Sequence, residues 1–177
     1  MTQTALDAPD AEATLDHLAR SIAQTLQREP GRHVHLIGIH SGGVWIAQRL
    51  HQALALDTPL GSLSSAFHRD DYGRRGLPSE MKATDLRFDI KGADIILVDD
   101  ILFTGRTVRA ALNELFDYGR PARVELAVLL DRGGRELPIE ARYCGAVFPL
   151  TSERNFVLSR APAGADGLPG PLALAIE

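Results

Sequence analysis

The sequence predicts an α/β fold in which a central, mostly parallel sheet is flanked by helices. Three observations predict it. Apolar runs that read as buried strands recur along the chain: "HVHLIGI" at 33–39, "ADIILV" at 93–98 and "RVELAVLL" at 123–130. Helical stripes separate them, and strand, helix, strand, helix, strand is the rhythm of a parallel sheet covered on both faces. The stretch "IILVDDILFTGRT" at 95–107 leads a strand into two adjacent acids and then opens a helix with a glycine flanked by threonines.

The 177 residues suffice for one domain with a proper core. Residues 1–9 read as a loose leader. From Asp10 to Arg28 the apolar residues Leu15, Leu18, Ile22 and Leu26 recur at helical spacing, and Asp10 is placed to cap the start. The turn "SGG" (41–43) follows the first strand, and Val44, Ala47, Leu50 and Leu54 then mark one face of a second helix. "LGSLSSAF" (60–67) is a weaker strand. Residues 68–92 are polar and rich in Gly and charge, and are expected to form a long mobile loop. After the strand at 93–98, Val108, Ala111, Leu112, Leu115 and Phe116 form a helical stripe that Gly119 and Pro121 stop. "ARYCGAVF" (141–148) and "RNFVLS" (154–159) are shorter strand candidates. A single domain is expected over 10–160, with the Pro- and Gly-rich tail 161–177 poorly ordered for most of its length.

Composition narrows the class. Hydrophobic residues make up 45% and charged residues 24%, as in ordinary globular proteins. No apolar run is long enough to cross a bilayer. The N-terminal "MTQTALDAPD" lacks the basic and apolar regions of a signal peptide, and Cys144 is the only cysteine, so a cytoplasmic protein without disulfides is expected. The net charge of −4 excludes a generic polyanion binder but allows a local basic patch. Trp45 is expected in core or interface packing, and Cys144 as a small buried apolar residue. The histidines form no ligand cluster, so no structural zinc site is expected.

The chemistry concentrates at 95–107. In an open α/β sheet, ligands bind beyond the carboxyl ends of the strands. Asp99 and Asp100 are expected at such an end, where two ionised acids need solvent, a cation or donor groups. Sugar hydroxyls are good donors to carboxylates. "TGRT" then opens a helix whose first N–H groups lack internal partners and lie at the positive end of the dipole. Gly105 allows close backbone approach, and Thr104 and Thr107 add hydroxyls. Arg106 either binds phosphate or stays solvated in the first turn. A diol reader beside a phosphate cradle suits a ribose 5-phosphate. No P-loop sequence is present, and no glycine fingerprint for dinucleotides follows a strand.

This stretch resembles the signature of the type I phosphoribosyltransferases, which bind 5-phosphoribosyl 1-diphosphate (PRPP). The likeness extends through "FHRDD" (67–71), "KATDLRFDIKGADIILVDD" (82–100), "GRTVRAALNELFDYGRP" and "ELAVLLDRGGRELPIEARYCG", and there it resembles the PyrR family, pyrimidine operon regulators that also act as uracil phosphoribosyltransferases. The resemblance implies a type I phosphoribosyltransferase-like fold with a small hood and a flexible loop. It implies transfer of the phosphoribosyl group to uracil, with Mg²⁺ carried by PRPP rather than by a dedicated protein site. Asp99 and Asp100 would hold the ribose hydroxyls, and Phe103, Thr104, Gly105, Arg106 and Thr107 the 5-phosphate. The turn His40, Ser41, Gly42, Gly43 would bind diphosphate, although it lacks the arginine that many relatives carry there. Arg69 would assist catalysis from the loop, with Arg74, Arg75, Asp70 and Asp71 near it. Asp131, Arg132 and Arg135, with 149–156, would form the base pocket region.

The resemblance also implies UMP and UTP as ligands, self-association as a dimer or higher oligomer, and a messenger RNA leader as a possible partner. Phosphate contact needs clustered basic side chains. Arg28 and Arg135 match basic family positions, whereas Glu140 and Ala146 stand where relatives carry arginine and lysine. The enzyme reading therefore stands ahead of a nucleotide-sensing RNA-binding regulator. Transfer to another base, such as a purine, stands behind both because of "DRGGRELP" (131–138).

Overall fold

The computed structural model describes residues 7–64, 83–163 and 169–177. Along the chain run α1 (Ala11–Arg28), β1 (Val34–Ile39), α2 (Gly42–Ala53), β2 (Gly61–Leu63), β3 (Asp94–Leu102), α3 (Arg106–Tyr118), β4 (Arg123–Asp131), β5 (Tyr143–Val147), β6 (Phe156–Arg160) and β7 (Leu172–Ile176). The first five strands form one sheet in the order β2-β1-β3-β4-β5, every neighbouring pair parallel. β6 and β7 pair antiparallel in a separate two-stranded sheet, the smaller unit beside the main one.

Side-chain alternation along the strands divides the core in two. Ile96 and Val98 of β3 face α1 and α2, where Leu18, Ile22, Ile46 and Leu50 are fully buried. Ile95 and Leu97 face the opposite way, against Val108, Ala111 and Leu115 of α3. Each such aliphatic side chain contributes about 2 kcal/mol by leaving water, so the apolar runs in the sequence specify both the strands and their burial on two faces. α1 starts where expected: the Asp10 carboxylate accepts the Ala13 N–H at 2.7 Å. Trp45 is partly buried against the α1–α2 side of the core, with the Arg160 guanidinium 5.0 Å from its ring centre.

Polar side chains tie the elements at two places. At the amino end of the sheet, Arg32 donates to both oxygens of Asp94 at 2.7 and 2.8 Å and to Glu125 at 2.7 Å. Tyr143 donates to the same Glu125 at 2.8 Å. The Arg32 side chain is only 6% exposed, and these partners hold its guanidinium protonated well above the ordinary value: the Asp94 hydrogen bonds contribute most, and together with Glu125 they outweigh burial. At the other side of α1, Glu12 accepts two hydrogen bonds from Arg49 at 3.0 and 2.6 Å and a third from the Leu172 N–H at 2.7 Å.

Four expectations are corrected. The tail 161–177 is not loose throughout: Leu172–Ile176 forms β7, because alternation buries Leu172 on the core and Glu12 caps its N–H. Of the loop placed at 68–92, residues 83–92 are anchored; 68–82 lie outside the described residues. Asp85 bridges to Ser62, Phe88 stacks on His35 at 3.8 Å and Ile90 is buried. β3 does not stop at Val98 but runs on to Leu102 through both acids, since Ile101 and Leu102 stay in register with Leu130 and Asp131 of β4. Phe116, assigned to the apolar stripe, is 53% exposed, because the core-facing row of α3 is completed by Leu115. Among the described residues no helix is long and apolar enough to cross a membrane.

Candidate active site

The strand order reverses between β1 and β3. From β1 the chain moves outward to β2, and from β3 it moves the other way to β4 and β5. The turns that leave the carboxyl ends of β1 and β3 therefore diverge and open a crevice, the general ligand position in such sheets. These turns are 40–43 and 103–105, so the topology brings together the two stretches that the sequence singled out.

The acids sit within β3. Asp99 is 3% exposed and Asp100 is half-buried. The Asp100 N–H donates to Asp99 Oδ1 and the Ile101 N–H to Asp100 Oδ1, each at 2.9 Å. These backbone donors orient both carboxylates and offset part of their mutual repulsion. By alternation Asp100 shares the α2 face with Ile96 and Val98. There the start of α2 lies directly on it: a Cβ at Gly42 would come 2.2 Å from Asp100 Oδ2, and one at Gly43 would come 2.3 Å from the Val98 carbonyl oxygen. The paired glycines of "HSGG" thus allow the first turn of α2, with its unpaired N–H groups, to rest against the acid pair. The His40–Ser41 peptide is cis, and the His40 N–H donates to the Leu63 carbonyl at 3.0 Å.

Replacing Gly43 by alanine tests this packing. The new methyl meets backbone in a central strand, which cannot yield, so α2 must lift. We expect a loss of about 2 kcal/mol, seen as a fall in melting temperature of about 6 °C, with the crevice opened in proportion. An unchanged melt would mean that the start of α2 does not rest on the β3 backbone.

On the other side of the crevice, Gly105 occupies the N-cap position of α3 at φ 91°, a left-handed conformation that favours glycine. Thr104 is buried, and its hydroxyl accepts the Arg106 N–H at 3.2 Å. Thr107 lies in the first turn of α3. The Arg106 side chain is exposed and donates to Glu136 at 2.9 Å. Glu136 carried no signal in the sequence, since nothing local links it to a residue thirty positions earlier.

The expected base region forms the third wall. Arg132 is 4% exposed and donates to the carbonyls of Thr151 and Arg154 at 2.9 and 2.8 Å and to Asn155 Oδ1 at 3.2 Å. It therefore joins the 131–135 and 149–156 stretches. Its guanidinium lies 4.1 Å from the centre of the Phe103 ring, while a Cβ at Gly134 would come 2.5 Å from that same ring. Phe103 is thus held between Arg132 and Gly134. Among the described residues Arg132 Nε has no hydrogen-bond partner, and burial draws the group below its ordinary value. Asp131 takes the Gly133 N–H at 2.9 Å and a hydrogen bond from Arg135. Burial pushes its carboxyl up, but the Arg135 and Gly133 donors outweigh this and hold it below the usual carboxylate range. Arg69, Asp70, Asp71, Arg74 and Arg75 lie outside the described residues.

Comparison with known proteins agrees with this geometry. A family model described as "Phosphoribosyl transferase domain" matches residues 2–149. "Bifunctional protein PyrR" of Pseudomonas fluorescens is 41% identical over 169 residues, covering 96% of each chain. The protein of the same name from Ralstonia nicotianae is 47% identical over 156 residues, covering 88% of this chain and 89% of its own. The chain belongs to the PyrR family. Its fold is also that of a solved hypoxanthine-guanine phosphoribosyltransferase from Bacillus anthracis, with a TM-score of 0.64 over 83% of this chain and 86% of the other at 21% identity. In this PyrR-family chain the acid pair, the glycine-opened helix and the "HSGG" turn lie together at the carboxyl ends of β1 and β3.

Proposed function

We propose that this chain transfers the 5-phosphoribosyl group of PRPP to uracil, giving UMP and diphosphate. One observation carries the reading: a carboxylate pair and a helix-opening glycine loop border the same crevice, so a sugar diol and a terminal phosphate can be held together. Asp99 and Asp100 accept hydrogen bonds from the ribose hydroxyls. The N–H groups of 103–107 hold the 5-phosphate. The turn 40–43 and the first N–H groups of α2 face the diphosphate, with Arg69 supplying positive charge from the segment after β2. A bond forms from the uracil nitrogen to the anomeric carbon, the bond from that carbon to the diphosphate oxygen breaks, and the proton on nitrogen is lost. The oxygen-only donor set of Asp99 and Asp100 fits Mg²⁺, which would screen the diphosphate charge. The protein's own part is to orient the two reactants and exclude water around them.

The relatives' name, "bifunctional", favours a second reading, an RNA-binding regulator that senses UMP or UTP. The basic positions give it less support: Arg28 is exposed, but Arg135 turns inward onto the Phe103 carbonyl and Glu140 presents an acid to solvent. Self-association as a dimer or higher oligomer belongs to both readings.

The test is UMP formation from uracil, PRPP and Mg²⁺, with hypoxanthine as the control base. Turnover with uracil alone is the expected result. Binding of UMP by calorimetry without turnover would replace the transferase with the regulator.

A further inference from the structure

Three successive carbonyls of the phosphate loop bond to a single segment. The Leu102 carbonyl accepts the Arg132 N–H at 3.0 Å, and the Thr104 carbonyl accepts the N–H groups of Glu136 and Leu137 at 3.0 and 3.1 Å. Between them the Phe103 carbonyl accepts Arg135 Nη1 at 2.6 Å. In a trans peptide the C=O and the following N–H point in opposite directions, and no cis peptide lies in this loop. Tying the carbonyls of 102–104 to the 131–137 segment therefore turns the N–H groups of Phe103, Thr104 and Gly105 away from it. Three neighbouring N–H groups turned one way make an anion nest.

Two of the three carbonyls are held by backbone donors, which no side-chain change removes. The middle one is held by a side chain. Arg135 is three-quarters buried and fully engaged: Nε donates to the Ile139 carbonyl at 3.0 Å and Nη2 to Asp131. Ile139 in turn covers Gly105, whose Cβ would come 3.0 Å from Ile139 Cγ1. The guanidinium thus ties the end of β4, the middle of the phosphate loop and the residue over its glycine in one plane. A lysine, with one charged nitrogen, cannot span those three directions.

We propose that Arg135 is a positioning residue for phosphate recognition: it fixes the Phe103–Thr104 peptide so that the loop presents its N–H groups to the 5-phosphate of a phosphoribosyl ligand. This deepens the proposed function and rests on its placement of the 5-phosphate. It also explains why "DRGGRELP" accompanies "LFTGRT" in this chain, the first stretch being the backing of the second.

The experiment compares UMP with uridine, which lacks the phosphate, by calorimetry on the full chain and on Arg135→Lys and Arg135→Gln. We expect Arg135→Gln to weaken UMP about tenfold, the loss of one charge-assisted hydrogen bond, to leave uridine unchanged, and to raise the KM for PRPP more than it lowers kcat. Arg135→Lys should fall between. Equal losses for UMP and uridine, or no loss for either, would overturn the proposal. Hydrogen exchange on the unaltered protein gives a reading that does not depend on how the variants fold: inorganic phosphate should slow exchange at residues 103–105, and no protection there would also overturn it. A wild type that makes no UMP but loses phosphate discrimination in Arg135→Gln would sink the uracil transferase alone. Normal turnover with unaltered discrimination would sink only the role of Arg135.

Discussion

Replacing Asp99 and Asp100 together by asparagine should lower kcat/KM for PRPP about a hundredfold or more. In the proposed function each carboxylate would accept a charge-assisted hydrogen bond from a ribose hydroxyl, worth about 1.5 kcal/mol or more, and two such losses correspond to about two orders of magnitude. The substitution conserves shape, so the fold should persist: an asparagine carbonyl can still accept the Asp100 and Ile101 N–H groups, as the carboxylates do at 2.9 Å. The loss should therefore be one of binding and rate and not of structure. Initial rates of UMP formation over a PRPP series, with circular dichroism as the control, decide the matter. Activity within threefold of the wild type would place the sugar elsewhere and remove the central support of the transferase reading.

The second large effect is on stability. Arg32→Ala should cost about 4 kcal/mol, because it leaves the poorly solvated Asp94 without its cation and Glu125 with only the long ionic contacts to Arg123 and Arg142 at 3.9 and 4.0 Å. Asp94 and Glu125 are 20% and 15% exposed, so water reaches them poorly, and Tyr143 loses the charge that balances its acceptor. Against a total stability of about 5–15 kcal/mol, the urea midpoint should fall steeply. Arg32→Lys should recover only part of it, since the bidentate grip on Asp94 and the reach to Glu125 need a planar fork. Because Asp94 and Asp99 are about 16 Å apart along β3, turnover per folded molecule should stay unchanged. A shift below about 1 kcal/mol would show that the carboxylates find solvent when Arg32 leaves.

How legible each part was depends on the range of the forces that fix it. The apolar runs that became β1, β3 and β4 declare themselves because burial on both faces demands continuous hydrophobicity. Asp10 declared the start of α1 because capping acts over three residues. The acid pair and Gly105 could be read because their chemistry is local. β7 could not: its order comes from Glu12, 160 residues away, and from pairing with β6. The continuation of β3 through its acids was hidden because two carboxylates normally end a strand, and only the register with β4 shows that they do not. The inward contacts of Arg135 were not legible, because nothing in the sequence places the Phe103 carbonyl and Asp131 on either side of it.

The clasp of Phe103 between Arg132 and Gly134 has a consequence for redesign. One ring serves the wall that would meet the base and the loop that would meet the phosphate. An exchange of base preference made by transplanting 131–139 from another transferase would leave a foreign surface around Phe103 and disturb the loop it was meant to spare. The smallest transferable cassette is discontinuous: 101–107 and 131–139 must travel together, with Thr151, Arg154 and Asn155 as the acceptors that seat Arg132. Chimeras that respect this seam should fold and keep their grip on ribose phosphates, and those that cut across it should lose both properties at once.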